Sequence, residues 1–201
     1  MAHDIDYYFS PQSPWAYLGH ERFARIAKNA GARVRVMPVD LGGRVFPVSG
    51  GVPLGQRAPQ RQAYRLVELQ RFAEHLRVPL NLHPKYFPVA GDDAARLIVA
   101  VDLADGSDAA MALAGAVMRA VWAEERNIAD EVALAAVLTG SGLPVARIDA
   151  SRSAPVRERY EANTQQAIGA HVFGAPTYAV GGELFWGQDR LDFLERRLGR
   201  D

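Results

Sequence analysis

The chain of 201 residues contains no cysteine. Without cysteine it forms no disulfide, binds no metal through thiolates and has no thiol nucleophile of its own. Its 23 basic and 23 acidic side chains cancel, so charge gives no reason to expect nucleic acid or an anionic membrane as a partner. No apolar run approaches the ~20 residues of a membrane-spanning helix, and the first residues do not resemble a signal peptide. We expect a soluble, cytoplasmic protein.

Several catalytic motifs are also missing from the sequence. The five histidines include no pair at a spacing typical of metal ligands, so we expect no metal site. Neither Gly-x-Gly-x-x-Gly nor Gly-x-Ser-x-Gly occurs, which argues against dinucleotide binding and against serine-hydrolase chemistry.

The start of the chain alternates between strand and helix patterns. Residues 5–9 are rich in aromatic side chains and precede a Ser-Pro pair, as is typical of a buried strand. From Trp15 apolar side chains recur at helical spacing, and Gly31 provides a stop. Residues 33–37 alternate arginine with apolar side chains, which predicts a second strand. A unit of this length favours parallel strands joined by a right-handed crossover.

The middle of the chain is predicted to be helical. Residues 41–59 contain many glycines and prolines and show no period, so we predict a loop there. Apolar stripes at helical spacing follow, and residues 58–145 are predicted to form an all-helical block. A second loop, rich in proline and aromatic side chains, interrupts this block at residues 81–89.

The final third returns to mixed patterns. A helix is predicted to end near Gly174, and residues 177–180 and 183–186 flank a Gly-Gly pair, which is a strong hairpin signal. A last leucine-lined helix follows. This element order predicts an α/β, thioredoxin-like fold with a large all-helical insertion. The predicted division is a thioredoxin-like domain at residues 1–47 and 150–201 and an inserted helical domain at residues 48–149.

The segment Ser-Pro-Trp-Ala at residues 13–16 lies where a thioredoxin-type enzyme carries Cys-Pro-x-Cys, at the start of the first helix. Ser13 and Ala16 replace the two cysteines, so the chain by itself cannot exchange disulfides. From these residues alone, two interpretations remain open. Ser13 is an N-cap followed by proline at the first helical position, or its hydroxyl and the adjacent backbone N–H groups stabilise an anion.

Three motifs together resemble one enzyme family. They are SPWAYL at residues 13–18, VFGAPT at residues 172–177 and WGQDRL at residues 186–191. In this order, and over nearly the whole chain, the sequence resembles the 2-hydroxychromene-2-carboxylate isomerases. Those enzymes are similar to kappa-class glutathione transferases and belong to the disulfide-oxidoreductase-like thioredoxin superfamily. The resemblance implies a glutathione-dependent isomerase, commonly a homodimer, that acts in bacterial breakdown of naphthalene-type aromatic hydrocarbons.

The resemblance also implies how glutathione is bound. Ser13 would donate a hydrogen bond to the glutathione sulfur, and the helix N-terminus would favour the thiolate. Ala175 and Pro176 would form a cis-proline corner whose backbone binds the tripeptide. On the residues alone, the alternative is that Pro176 belongs to an ordinary trans turn.

A third segment is implied to bind the γ-glutamyl end of glutathione. Backbone N–H groups there suit its carboxylate, and the side chain of Asp189 suits its ammonium group. The alternative is that Asp189 caps the last helix, although both roles are compatible. The implied residues of this segment are Trp186, Gly187, Gln188 and Asp189. Before the proline corner, His171 is expected to be a partly buried structural residue.

The implied reaction interconverts 2-hydroxychromene-2-carboxylate and trans-o-hydroxybenzylidenepyruvate, an aromatic keto acid. The thiolate adds to a conjugated carbon, a double bond becomes a rotatable single bond, and expulsion of the thiolate completes the isomerisation. Glutathione is then a cofactor and is not consumed. Two alternatives remain: a kappa-like transferase that releases a conjugate, and a glutathione- or peptide-binding module without catalysis.

The substrate side departs from the family pattern. Gly55 and Gln56 stand where the isomerases usually have Asn-Arg, and Val45 stands where a lysine can occur. Such polar and cationic groups would hold the carboxylate and carbonyl of the substrate. The identity of the substrate is therefore open.

Neighbouring side chains can supply the missing groups. The substrate residues that we predict are Gln56, Arg61 and Tyr86. The positive charge can come from Arg44, Arg57 or Arg61, although the ordinary interpretation of each is a solvated arginine on a loop or helix face. Tyr86 matches a family aromatic and can orient the phenol of the substrate, with ordinary packing as the alternative.

Overall fold

The computed structural model describes residues 3–199. Within them, four strands form one sheet in the order β2-β1-β3-β4. The strands are β1 Asp4–Phe9, β2 Arg33–Pro38, β3 Thr177–Val180 and β4 Glu183–Trp186. β1 pairs with β2 in parallel, whereas the β1–β3 and β3–β4 pairs are antiparallel. The predicted thioredoxin-like fold and its parallel strand–helix–strand unit are confirmed.

Nine α-helices lie within the same residues. They are α1 Pro14–Asn29, α2 Phe46–Ser49, α3 Pro59–Leu76, α4 Asp92–Asp105, α5 Ser107–Trp122, α6 Glu131–Gly140, α7 Arg147–Ala150, α8 Ala154–Gly169 and α9 Leu191–Leu198. Short helical turns are π-helical at Leu41–Val45 and 3₁₀ at Leu54–Gln56 and Gln188–Arg190. None of the helices of residues 3–199 has both the length and the apolar character needed to cross a membrane.

Two turns follow the local sequence closely. α1 ends at its C-cap Ala30, after which Gly31 takes φ 59°, a conformation that is costly for residues with a Cβ. Between β3 and β4, Gly181 and Gly182 take φ 58° and 85°, as a two-residue hairpin turn with positive φ at both positions requires. The predicted helix stop and hairpin are confirmed.

The prediction of an unstructured loop at residues 41–59 is wrong in part. The π-helical turn begins where the side chain of Asp40 accepts a hydrogen bond from the Gly43 N–H at 2.7 Å, and α2 and a 3₁₀ turn follow. Each element is shorter than two helical turns, so none leaves a detectable hydrophobic period.

Two expectations before the proline corner are also wrong. The helix predicted to end near Gly174 ends at Gly169. The chain then reverses at His171, which has φ 60°, and Val172 is buried beside β1 and β2. His171 is exposed and not partly buried, because the turn directs the following valine inward instead.

One apolar cluster joins the sheet to the helical block. It contains Ile5 and Tyr7 of β1, Phe23 of α1, and Leu113 and Met118 of α5, all of them fully buried. The thioredoxin-like elements and the helices between β2 and α8 therefore share a core. The domain boundaries at residues 48 and 149 stay a prediction.

Candidate active site

Ser13 is the N-cap of α1. Its backbone is extended, with φ −76° and ψ 121°, and its Oγ accepts a hydrogen bond from the Ala16 N–H at 3.2 Å. Pro14 occupies the first turn, where its lack of an N–H costs nothing. The capping interpretation is therefore correct. The hydroxyl proton of Ser13 has no acceptor within residues 3–199, so the cap leaves one donor for a ligand.

The first turn of α1 keeps a second donor. The N–H of Ala16 is used by Ser13 Oγ, and the N–H of Tyr17 donates to the Ser13 carbonyl at 3.0 Å. Among the described residues, the N–H of Trp15 has no partner. A free N–H at the positive end of a helix dipole favours a bound anion.

The peptide bond between Ala175 and Pro176 is cis, as the resemblance implies. The side chain of Thr177 fixes the approach to this corner, because its hydroxyl donates to the Gly174 carbonyl at 2.8 Å. The backbone N–H and carbonyl of Ala175 have no partner within the described part of the chain. An extended peptide can use such groups for strand-like hydrogen bonds.

Trp186 lies against the approach to the corner. A Cβ on Gly174 would lie 2.3 Å from the indole Nε1 of Trp186, so any larger residue at position 174 would displace this ring. The ring also meets Phe173 edge to face, with centroids 4.8 Å apart. Trp186 remains half exposed, and its outer surface is open to a ligand.

The turn after Trp186 is tied to the corner. The Gly187 N–H donates to the Pro176 carbonyl at 2.8 Å and is unavailable to a ligand, so the predicted carboxylate contact falls to the next two N–H groups. Gln188 is buried, and its Nε2 has no partner within residues 3–199. This nitrogen is fully buried and out of reach of a ligand, so the donors at this turn are the backbone N–H groups of Gln188 and Asp189, which have no partner among the described residues.

Asp189 does not cap the last helix, α9, which was the alternative interpretation of this residue. α9 begins without a side-chain cap, and the carboxylate of Asp189 instead accepts from Nη1 of the adjacent Arg190 at 2.5 Å. This exposed ion pair is weak, so a ligand ammonium group can replace the guanidinium.

The structure brings the three predicted segments together. β1, which leads to Ser13, pairs with the start of β3 at Tyr8 and Thr177. α1 packs against the turn after Trp186 so closely that a Cβ on Gly19 would lie 2.7 Å from Cβ of Gln188. The Ser13 hydroxyl proton, the Ala175 backbone and the N–H groups of Gln188 and Asp189 have no partner among the described residues, so the site fits a peptide-like ligand that carries an anionic group.

The predicted substrate residues are not joined to these segments by any hydrogen bond or ring contact within residues 3–199. Gln56 ends a 3₁₀ turn and is exposed, and Arg61 is exposed on the first turn of α3. Tyr86 is also exposed, and Nζ of Lys85 lies 5.2 Å from the centre of its ring. Its exposed fraction is 37%, which fits both interpretations, so the substrate role of Tyr86 stays a prediction.

The candidate cations differ in their surroundings. Arg44 is paired with Glu161 at 2.8 Å, and because both side chains are half exposed this ion pair is weak, like that of Asp189. Arg57 donates from Nε to the Val52 carbonyl at 2.7 Å. Its pKa lies below the usual arginine value, because partial burial disfavours the charged form and Arg61 adds repulsion.

Arg65 was missed by the sequence reasoning. It is half-buried on α3, and its guanidinium carbon lies 5.3 Å from the ring centre of Phe87 and 5.7 Å from that of Trp122. Burial, with a smaller contribution from Arg57, lowers the pKa of Arg65 to about 10. The signal that would have found it is its spacing of one helical turn after Arg61.

The mixed sheet, the serine-capped helix and the cis-proline corner define a thioredoxin-fold protein of the disulfide-oxidoreductase type that lacks the redox cysteines. The chain belongs to the family of the DSBA-like thioredoxin domain, whose model matches residues 4–199.

The chain is similar to a 2-hydroxychromene-2-carboxylate isomerase from Pseudomonas putida, with 31% identity that covers 98% of this chain and 94% of that protein. A solved 2-hydroxychromene-2-carboxylate isomerase structure has a TM-score of 0.79 and 29% identity, covering 98% of this chain and 95% of that one. Glutathione S-transferase kappa 1 from Caenorhabditis elegans is 24% identical over 94% of this chain and 88% of that protein. The predicted resemblance and the prediction of an isomerase-like enzyme are confirmed.

Proposed function

We propose that the protein is a glutathione-dependent isomerase that interconverts 2-hydroxychromene-2-carboxylate and trans-o-hydroxybenzylidenepyruvate. The observation that carries this proposal is Ser13, which caps α1 and keeps an unpaired hydroxyl proton in a chain without cysteine. Three relatives named for this isomerase activity, at 29 to 31% identity over nearly the whole chain, support the reaction. The kappa-class relative supports glutathione as the cofactor.

Glutathione fits the site along the three segments. The Ala175 backbone would bind the cysteinyl residue of the tripeptide in an extended conformation. The turn at Gln188 and Asp189 would receive the γ-glutamyl group, whose carboxylate suits free N–H donors and whose ammonium group suits the Asp189 carboxylate. The thiol would then lie at the N-terminus of α1.

When bound, glutathione would supply a thiolate for reversible addition to a conjugated carbon of the substrate. Ser13 would donate its hydroxyl proton as a hydrogen bond to the sulfur. The N–H of Trp15 and the dipole of α1 add positive potential at the same place. Together they lower the pKa of the thiol, so that more of it is ionised at neutral pH.

The test is the substitution Ser13→Ala. We expect kcat/KM for the isomerisation to fall by roughly 10²-fold, the size seen when one donor to a developing anion is removed. The ultraviolet absorbance of the bound thiolate should weaken in parallel. Ser13→Thr, which keeps the hydroxyl and the cap, should retain most of the activity.

A matched control separates this role from simple capping. Asp130 is the N-cap of α6 and accepts from the Ala133 N–H at 2.9 Å, so Asp130→Ala removes a comparable cap elsewhere. It should cost about 1 kcal/mol of stability and leave kcat/KM unchanged. Unchanged activity in Ser13→Ala would refute the proposal. Stoichiometric consumption of glutathione would instead support the transferase alternative.

A further inference from the structure

Three arginines lie together at the start of α3 without an acidic partner. Arg57 interacts electrostatically with both Arg61 and Arg65, and no carboxylate within residues 3–199 lies at ion-pair distance from any of the three. Further along the same helix, Arg71 shows the ordinary arrangement and is paired with Glu68 at 2.8 Å. An uncompensated cluster of positive charge attracts an anion from outside the chain.

Arg65 is the most unusual of the three. Its charge is half-buried against Phe87 and Trp122, and an aromatic contact offsets only part of the cost of removing a cation from water. Leucine or methionine would fit such an apolar helix position without that cost. A planar guanidinium held over rings keeps N–H donors in a fork that matches a carboxylate.

Two connections link the surroundings of Arg65 to the candidate active site. Trp15, next to the Ser13 cap, meets Phe72 of α3 edge to face with ring centres 6.0 Å apart. Arg65 lies two turns earlier on the same face of α3, about 10 Å along its axis.

The loop that carries Phe87 gives the second connection. It ends at Gly91, where a Cβ would lie 2.0 Å from Oε1 of Gln12, the neighbour of Ser13. The rings under Arg65 and the residue beside the cap are therefore joined by a few residues of chain.

We infer that Arg65, with Arg57 and Arg61 beside it, binds the carboxylate of an aromatic 2-oxo acid substrate. This inference rests on the proposed function and names the residue that selects its substrate. It also assigns the role of the missing family cation to a position that the resemblance did not indicate. Arg65 is a positioning residue, because it holds the anionic end of the substrate while the reaction occurs at the thiol.

The experiment compares two probes that differ by one carboxylate. Phenylpyruvate is an aromatic 2-oxo acid, and phenylacetone lacks its carboxylate. Isothermal titration calorimetry of the glutathione-loaded protein should show tighter binding of phenylpyruvate. In Arg65→Met its dissociation constant should rise roughly 10- to 100-fold, as expected for losing a charged hydrogen-bond donor, and binding of phenylacetone should not change.

Arg71→Met is the matched control, because it removes an exposed arginine from the same helix. It should bind both probes as the wild type does. Arg65→Lys keeps the positive charge but loses the planar pair of N–H donors, so its dissociation constant for phenylpyruvate should lie between those of the wild type and Arg65→Met. The lysine variant also provides the test if Arg65→Met does not fold. Equal binding of the two probes by the wild type, or unchanged phenylpyruvate binding in Arg65→Met or Arg65→Lys, would overturn the inference.

Kinetics distinguish this inference from the proposed function. If the proposed substrate is isomerised, Arg65→Met should raise KM with little change in kcat, as loss of uniform binding predicts. Normal isomerisation with an unchanged KM would refute the Arg65 site alone. Absence of isomerisation in the wild type, together with carboxylate-dependent binding through Arg65, would refute the function and leave the anion site.

Discussion

At the scale of single residues, Ser13 shows why the sequence left two interpretations open. The side chain accepts one hydrogen bond as a cap and still has a proton to donate, so the structural and the functional role do not compete. Serine is among the few residues able to do both, because its hydroxyl is an acceptor and a donor. Alanine at position 16 removes any second reactive group from the same turn.

The backbone conformation at position 187 requires glycine. Gly187 takes φ 98° and ψ 150°, and a Cβ would lie 2.5 Å from Oδ1 of Asp189. Since this region of conformational space is essentially restricted to glycine, we expect Gly187→Ala to lower the free energy of unfolding by about 1–3 kcal/mol. Urea denaturation measures the change.

Gly140→Ala is the control for that substitution. Gly140 is the last residue of α6, and no other atom lies within 4 Å of a Cβ built on it. Alanine there should leave stability unchanged or raise it slightly. Equal stability of the two alanine variants would show that the backbone of Gly187 is not constrained.

At the scale of elements, α1 carries a buried histidine on the face opposite its exposed side. The Met111 carbonyl accepts from Nε2 of His20 at 3.0 Å, and Nδ1 faces the Tyr7 hydroxyl at 3.3 Å. With the proton on Nε2, Nδ1 accepts from Tyr7, and the ring is neutral. Burial lowers the pKa of His20 below its ordinary value of 6.5, because the charged form is desolvated.

This shift predicts how stability depends on pH. The native state binds the proton of His20 less readily than the unfolded state does, so its contribution is complete above about pH 6.5 and decreases as the pH falls below that value. We expect the free energy of unfolding to be lower at pH 5.5 than at pH 7.5. Urea denaturation at both values should show less of this loss in His20→Gln.

The exposed His75 of α3 provides the comparison. His75→Gln should keep the pH dependence of the wild type. A stability that is the same at both pH values in the wild type would contradict the assignment of a neutral, buried His20.

The elements also show what a sequence pattern can and cannot predict. β1 and the β3–β4 hairpin were predicted well because their signals, an aromatic run and a Gly-Gly turn, are local. α4 left no separate signal because its residues 97–101 are an unbroken apolar run, partly or fully buried, which has no helical period.

The candidate site likewise has features that a sequence pattern can predict and features that it cannot. The places in the fold of Ser13 and Pro176 could be predicted from the sequence, since each motif is continuous. The surroundings of Arg65 could not, because Phe87 and Trp122 reach it from distant parts of the chain. The hydrogen bond from the Gly187 N–H to the Pro176 carbonyl could not be predicted either, because it forms only once β3 and β4 are paired.

At the scale of the whole molecule, the shared core predicts one unfolding transition. Leu113 of α5 is fully buried in the cluster that also contains β1. Leu113→Ala should cost about 2–5 kcal/mol, as large-to-small substitutions in cores do. Because the core is common, hydrogen exchange should accelerate equally in peptides from β1 and from α5.

The control for removing a core side chain is a substitution at Val132, which lies on α6 and is 78% exposed. Val132→Ala should change stability by less than about 0.5 kcal/mol. If Leu113→Ala accelerated exchange in the helical block and left β1 protected, the two parts would unfold independently, and the division at residues 48 and 149 would mark separate cooperative units.

The pairing of Tyr8 with Thr177 has a consequence for the order in which the protein is made. The inner strand β1 ends at Phe9 and one of its two neighbours, β3, begins only at Thr177, so β1 leaves the ribosome long before this partner does. Until then one edge of β1, with its backbone N–H and carbonyl groups, lacks its partner. The emerging chain can join α1 and β2 to β1 early, but the corner at Pro176 takes its place only after all the helices between β2 and β3 have been synthesised. The candidate site therefore assembles later than the elements that carry Ser13.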